Sequence, residues 1–78
     1  MKQPEYYLYG KIPVVFLPQA DGGLKVRAYH SSFQADGSYW AEIKYDRDNL
    51  AQRISEYEFI KAVLQRGGMR DEIDAIQA

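Results

Sequence analysis

Few residues of this chain carry reactive side chains, and each sits in a context that argues for an ordinary role. His30 precedes Ser31 and Ser32, a base beside two hydroxyls. Sequence neighbours do not make a nucleophile–base pair, because the two must meet through the fold while a third group orients the base. The expected role of His30 is a strand-end residue bonded to backbone. Asp46-Arg47-Asp48-Asn49 crowds side-chain oxygens together, as a calcium loop does. Such a loop needs glycine at its sixth position and glutamate at its twelfth, but Ala51 and Tyr57 stand there. A solvated turn is expected instead.

Glu56, Glu58, Asp71, Glu72 and Asp74 fall where helix capping and the helix dipole account for carboxylates without acid–base work. Gly22-Gly23 and Gly67-Gly68 lack the pattern of a phosphate loop. With no cysteine and one histidine, disulfides and thiolate metal sites are excluded and an imidazole-rich site is implausible. The expectation is a non-enzymatic protein with no catalytic residue, metal or cofactor.

The residues left for function are aromatic: seven tyrosines, three phenylalanines and one tryptophan. Tyr, Trp and Arg dominate the energetics of protein contacts. The formal net charge of −1 leaves no basic excess for non-specific phosphate binding. No run approaches the ~18 apolar residues of a membrane span. The segment Met1-Lys2-Gln3-Pro4-Glu5 lacks a signal-peptide core, so a cytoplasmic protein without membrane contact is expected.

These side chains must be held by a small number of elements. Seventy-eight residues predict one domain, 1–78, near the lower limit for a self-sufficient core. Residues 5–9 and 12–17 read as strands by aromatic and β-branched content, with Gly10-Lys11 as a hairpin turn. A single bent strand kinked at Gly10 is the weaker alternative. Pro13 cannot donate to a ladder, so its gap should face the other neighbouring strand. Apolar residues alternate along 24–30 and 39–45, predicting two further strands around a 31–38 loop. Residues 50–54 fit a short strand or a helical turn equally.

Near Ser55 the period changes from two to 3.6, with Tyr57, Ile60, Val63 and Leu64 at helical spacing. Ser55-Glu-Tyr-Glu58 is a capping box, and Gly67-Gly68 supplies a left-handed stop, which predicts a helix over about 56–66. Met69, Ile73 and Ile76 predict a second short helix over about 69–77. The fold class is α+β: a small antiparallel β-sheet of about four strands, meander-like, with both helices packed on one sheet face. Phe59, Ile60, Val63 and Leu64 should be core.

Strand parity then predicts which surface is free. Leu24, Val26, Ala28, Ala41, Ile43 and Tyr45, joined by Val15 and Leu17 through a simple 18–23 turn, should form the core side. Lys25, Arg27, Tyr29, Trp40, Glu42 and Lys44 should form the opposite face, extended by Tyr7, Tyr9, Ile12, Val14 and Phe16. This outer face, centred on Arg27, Tyr29 and Trp40, is the expected binding site unless a second layer covers it. The leading expectation is a small interaction module that binds another protein or its own copy as a homodimer. It would serve as a modulator or inhibitor of a larger assembly, with an origin in a mobile element. The alternative is single-stranded nucleic acid, with Lys25, Arg27 and Lys44 on phosphates and Tyr29 and Trp40 stacked on bases.

Overall fold

Gly10-Lys11 closes a two-residue turn between β1 (Glu5–Tyr9) and β2 (Ile12–Pro18), setting Tyr9 opposite Ile12. Gly10 takes the positive φ, 62°, that a Gly-X hairpin needs at its first turn position. This is seen in a computed structural model that describes residues 3–77. The tight hairpin aims the backbone of Ile12, Val14 and Phe16 at β1, and that of Pro13, Val15 and Leu17 the other way. Pro13 has no N–H to give on that side. The ladder from β2 to β3 (Leu24–Tyr29) accordingly ends at Val14 opposite Ala28.

The β2–β3 connection is a five-residue loop, 19–23, which the Gln19 N–H closes by donating to the Gly23 carbonyl (2.8 Å). Pro18 faces Leu24, Leu17 faces Lys25 and Val15 faces Arg27. Odd-numbered residues of the two strands therefore share a face. The expected grouping of Val15 and Leu17 with Val26 and Ala28 is overturned, because the loop is one residue shorter than the 18–23 turn it assumed.

Two elements differ from expectation beyond β3. Residues Phe33–Ala35 form a short strand, β4, antiparallel to β3, within the stretch expected to be loop. Residues Ser38–Tyr45 form a helix, α1, where a strand was expected. Tyr39, Ala41, Ile43 and Tyr45 alternate, but the same positions also hold i, i+4 pairs, and a helix needs only one such pair to face the sheet. Ile43 is the buried residue of α1, and Tyr39 packs beside the same cluster one turn earlier. With β4 already beside β3, residues 39–45 have no place in that ladder.

Ala51–Ile54 is a fifth strand, β5, paired antiparallel with β1. The sheet order is β4-β3-β2-β1-β5, so α1 carries the chain from one edge of the sheet to the other. Helices α2 (Glu56–Gln65) and α3 (Arg70–Gln77) follow where the periodicity placed them. The Ser55 hydroxyl accepts from the Glu58 N–H and the Glu58 carboxylate accepts from the Ser55 N–H, both at 3.1 Å. Gly67 takes φ 90° at the turn into α3.

The sheet is covered on both faces. Phe59 and Val63 of α2 and Ile73 of α3 pack on Tyr6, Val15, Leu17, Tyr29 and Ile54. On the other face, Ile43 of α1 packs on Val14, Phe16, Val26 and Ala28. Pro13–Leu17 of β2 is buried at every position, as a strand with two covered faces must be. No helix among the described residues is long and apolar enough to cross a membrane.

Candidate functional site

The residues expected to share one outer face lie on both sides of the sheet. Lys25, Arg27 and Tyr29 fall on the α2–α3 side, opposite Leu17, Val15 and Phe33. Tyr29 is core, 2 % exposed, with its ring edge-on to Phe33 at 4.9 Å. Its hydroxyl lies 3.2 Å from the Ser31 carbonyl and 3.3 Å from Glu72 Oε1. The Arg27 guanidinium donates to the Val26 carbonyl, and Lys25 is exposed.

Tyr7, Tyr9 and Phe16 lie on the α1 side, half or fully buried beneath that helix. The Tyr7 ring packs on Phe16 at 5.1 Å, and the Tyr9 ring meets Tyr39 of α1 edge-on at 5.7 Å. The Tyr9 hydroxyl donates to Glu42 (2.9 Å), which ties β1 to α1 and keeps the phenol above its usual pKa. Burial, with a hydrogen bond to Glu5 second, raises Tyr7 in the same sense. Burial also raises Tyr29. These phenols stay protonated at neutral pH, so none supplies a phenolate base.

Trp40, Glu42 and Lys44 sit exposed on α1 itself, Trp40 and Lys44 on one flank of the helix and Glu42 on the other, beside Tyr9. Trp40 is 41 % exposed, with the Lys44 ammonium 6.0 Å from its ring centre. The indole borders a cleft of about 210 Å³ shared with Phe16, Pro18, Leu24, Glu5 and Lys44. Leu24 closes the far side while itself 44 % exposed. The cleft floor is thus apolar, with one cation and one carboxylate on its rim. The Glu5 carboxylate already accepts from the Tyr7 hydroxyl (2.9 Å), whereas among the described residues the one ion pair is Arg70–Asp74. Lys44 is the rim charge left for a visitor.

No family model, curated protein or solved structure matches this chain. Its chemistry must be read from its own residues.

The motifs weighed for catalysis or metal binding have structural partners here. Both oxygens of Asp46 accept from backbone, Oδ1 from the Leu50 N–H (2.8 Å) and Oδ2 from the Ala51 N–H (3.1 Å). Among the described residues no group of three or more His, Asp or Glu side chains is gathered as metal ligands would be. His30 gives its backbone N–H to Ser32, with its ring 6.2 Å from that of Tyr39.

A second exposed apolar surface lies on α2, and it includes Leu64, a residue expected in the core. Phe59 and Val63 are buried, but Leu64 is 47 % exposed and Tyr57 74 % exposed. With Ile60, Lys61 and Gln65 they line a shallow groove of about 290 Å³. At 100° per residue, Tyr57 and Leu64 lie about a third of the way round the helix from Phe59 and Val63. The spacing 57, 60, 64 was visible in the sequence. What it could not reveal is that two residues of each turn are enough to reach this sheet.

The edges of the sheet are blunted. The Gly10 N–H donates to the Leu50 carbonyl (2.9 Å), so the outward-facing backbone of β5 belongs to Ala51 and Arg53, then Ser55. The Asp46 carboxylate takes the Ala51 N–H and the Glu58 carboxylate takes the Ser55 N–H. The opposite edge, β4, is three residues long. Neither edge offers a continuous ladder to an added strand.

Proposed function

We propose that this protein is a small non-enzymatic binding module that recognises a segment of another protein through the Trp40 cleft. The observation that supports this reading is the juxtaposition of an exposed indole and an exposed leucine from distant parts of the chain. They flank an apolar floor with the Lys44 ammonium at its rim. Aromatic anchors in a partly desolvated pocket, with charge at the periphery, are the usual source of binding energy in protein contacts. The occupant that fits is an extended segment that inserts an apolar side chain between Trp40 and Leu24 and sets a carboxylate beside Lys44. A cytoplasmic setting and a role as accessory to a larger assembly belong to the same reading.

The alternative of base stacking has lost its geometric support. It required Tyr29 and Trp40 on one sheet face, but Tyr29 is buried under α3 and Trp40 rides on α1 across the sheet. The test is to pan a random peptide library against the intact protein. Enriched peptides should pair an apolar residue with a nearby Asp or Glu and quench or shift Trp40 emission. Trp40→Ala should abolish their binding while leaving the circular dichroism spectrum intact, and Lys44→Glu should weaken it about tenfold, a loss of ~1.4 kcal/mol. Peptides that bind Trp40→Ala as well as wild type would place the contact elsewhere.

A further inference from the structure

We propose that the cleft beside Tyr6, on the α2–α3 side of the sheet, binds a dipeptide with both termini free. The inference does not rest on the Trp40 reading, because α1 and its cleft lie on the opposite face.

The first observation is a hollow of ligand size on a fixed floor. Pro4, Tyr6, Leu17, Glu56 and the end of α3 line about 490 Å³, within the range of small-molecule sites. Tyr6 and Leu17 belong to the core, 8 % and 6 % exposed, and Ile76 packs against the same cluster. The apolar floor is thus in place before any ligand arrives.

The second is a pair of opposite charges that do not meet. Lys25 and Glu56 both line the hollow, but among the described residues the one ion pair is Arg70–Asp74. Lys25 stands on β3 and Glu56 opens α2 just after β5, three strand spacings away, roughly 14 Å. A ligand that satisfies both must hold an ammonium and a carboxylate apart. A free amino acid carries them on one residue, whereas a dipeptide separates them by a further ~3.5 Å.

The third is the polar wall at the Glu56 end. Gln77 Nε2 donates to the Tyr6 hydroxyl (2.8 Å), which leaves Gln77 Oε1 as an acceptor and Tyr6 with its own proton to give. Burial, then the neighbouring Glu56 carboxylate, raises the Tyr6 pKa, so the phenol remains a donor at neutral pH. In an extended chain the nitrogen and carbonyl of one residue point to the same side. The first residue of the dipeptide therefore gives its ammonium to Glu56 and Gln77 and takes the Tyr6 proton on its carbonyl. The second residue then lies over Leu17, the ladder partner of Lys25, and calls for an apolar side chain next to the carboxylate.

Titrating glycyl-L-leucine into the isotope-labelled protein, followed by amide chemical shifts, tests this. Signals of Tyr6, Leu17, Lys25 and Gln77 should move with a Kd on the order of 1 mM. The N-acetyl form lacks the ammonium and the C-terminal amide form lacks the carboxylate, so each should bind about tenfold more weakly, as should free L-leucine. Lys25→Glu and Glu56→Gln should weaken binding to a similar degree. Both side chains are exposed, so circular dichroism should be unchanged. The dipeptide also carries the apolar group and carboxylate that suit the Trp40 cleft, so the titration is repeated on Trp40→Ala, where these shifts should persist. Shifts confined to Trp40 and its neighbours would overturn this proposal and leave the Trp40 reading standing. So would capped peptides or free leucine binding as well as the dipeptide, indifference to Lys25→Glu, or no shift at tenfold above the expected Kd.

Discussion

Ser55 and Gly68 show two ways in which a single residue decides local structure. Ser55 satisfies an orphan N–H at the start of α2, and Glu58 returns the favour to Ser55. Replacing Ser55 with Ala should lower stability by about 1 kcal/mol, read as a shift in denaturant midpoint with unchanged slope. Gly68 matters for space. A Cβ there would stand 2.9 Å from the Tyr29 ring and would press on the Val63 side chain as well. Tyr29 cannot yield, because its hydroxyl lies between Ser31 and Glu72 while its ring abuts Phe33. Gly68→Ala should therefore destabilise by about 1–3 kcal/mol, measured by urea unfolding, as overpacking does. The capping box was visible in four residues of sequence, since its partners are three apart. The role of Gly68 was not, since Tyr29 is thirty-nine positions away.

Among the elements, α1 and β5 depend on each other through Asp46. Asp46 follows the last turn of α1, its backbone carbonyl accepts from the Asn49 N–H to close the turn 46–49, and its carboxylate occupies the Leu50 and Ala51 N–H groups. Asp46→Ala should cost about 1 kcal/mol in urea unfolding through lost hydrogen bonds and should also open the β5 edge. Increased turbidity and thioflavin binding on gentle heating would report the second effect. The elements that could be read in advance were those with local signals: the Gly10 hairpin, the Pro13 gap, and α2 with its cap. The elements that could not were short or two-valued. β4 has three residues and no pattern, and β5 has four. Residues 39–45 satisfy both periods at once, because spacings of two and four coincide at Tyr39–Ile43 and Ala41–Tyr45. The faces went astray for a different reason. Shifting the end of one loop by a single residue turns a whole strand over, and nothing in Pro18-Gln-Ala-Asp-Gly-Gly23 specifies that residue.

At the scale of the whole molecule, the domain has three layers, with α1 above the sheet and α2 and α3 below it. The second covered face had a sign in the sequence, the unbroken apolar run of β2, which a sheet with one wet face would have interrupted. Of the expected site, Trp40 and Lys44 stayed together because they are one turn apart on α1, while Glu42 points to the other flank and bonds Tyr9. Lys25, Arg27 and Tyr29 left it with the change of register.

The path of α1 from one edge of the sheet to the other has a mechanical meaning. Four strand spacings, roughly 19 Å, separate β4 from β5, and α1 with its flanking turns is a strap across that width. Arg47 is exposed in the turn after α1, a natural cleavage point for trypsin. Cutting there severs the strap but not what lies beneath it. β5 stays laddered to β1, while Phe59, Val63 and Ile73 stay buried against Tyr6, Val15 and Tyr29. A briefly digested sample should migrate as two fragments on a denaturing gel yet elute as one species in native buffer. The halves should also reassemble when expressed apart, making the 46–49 turn the place to divide this protein into a complementing pair.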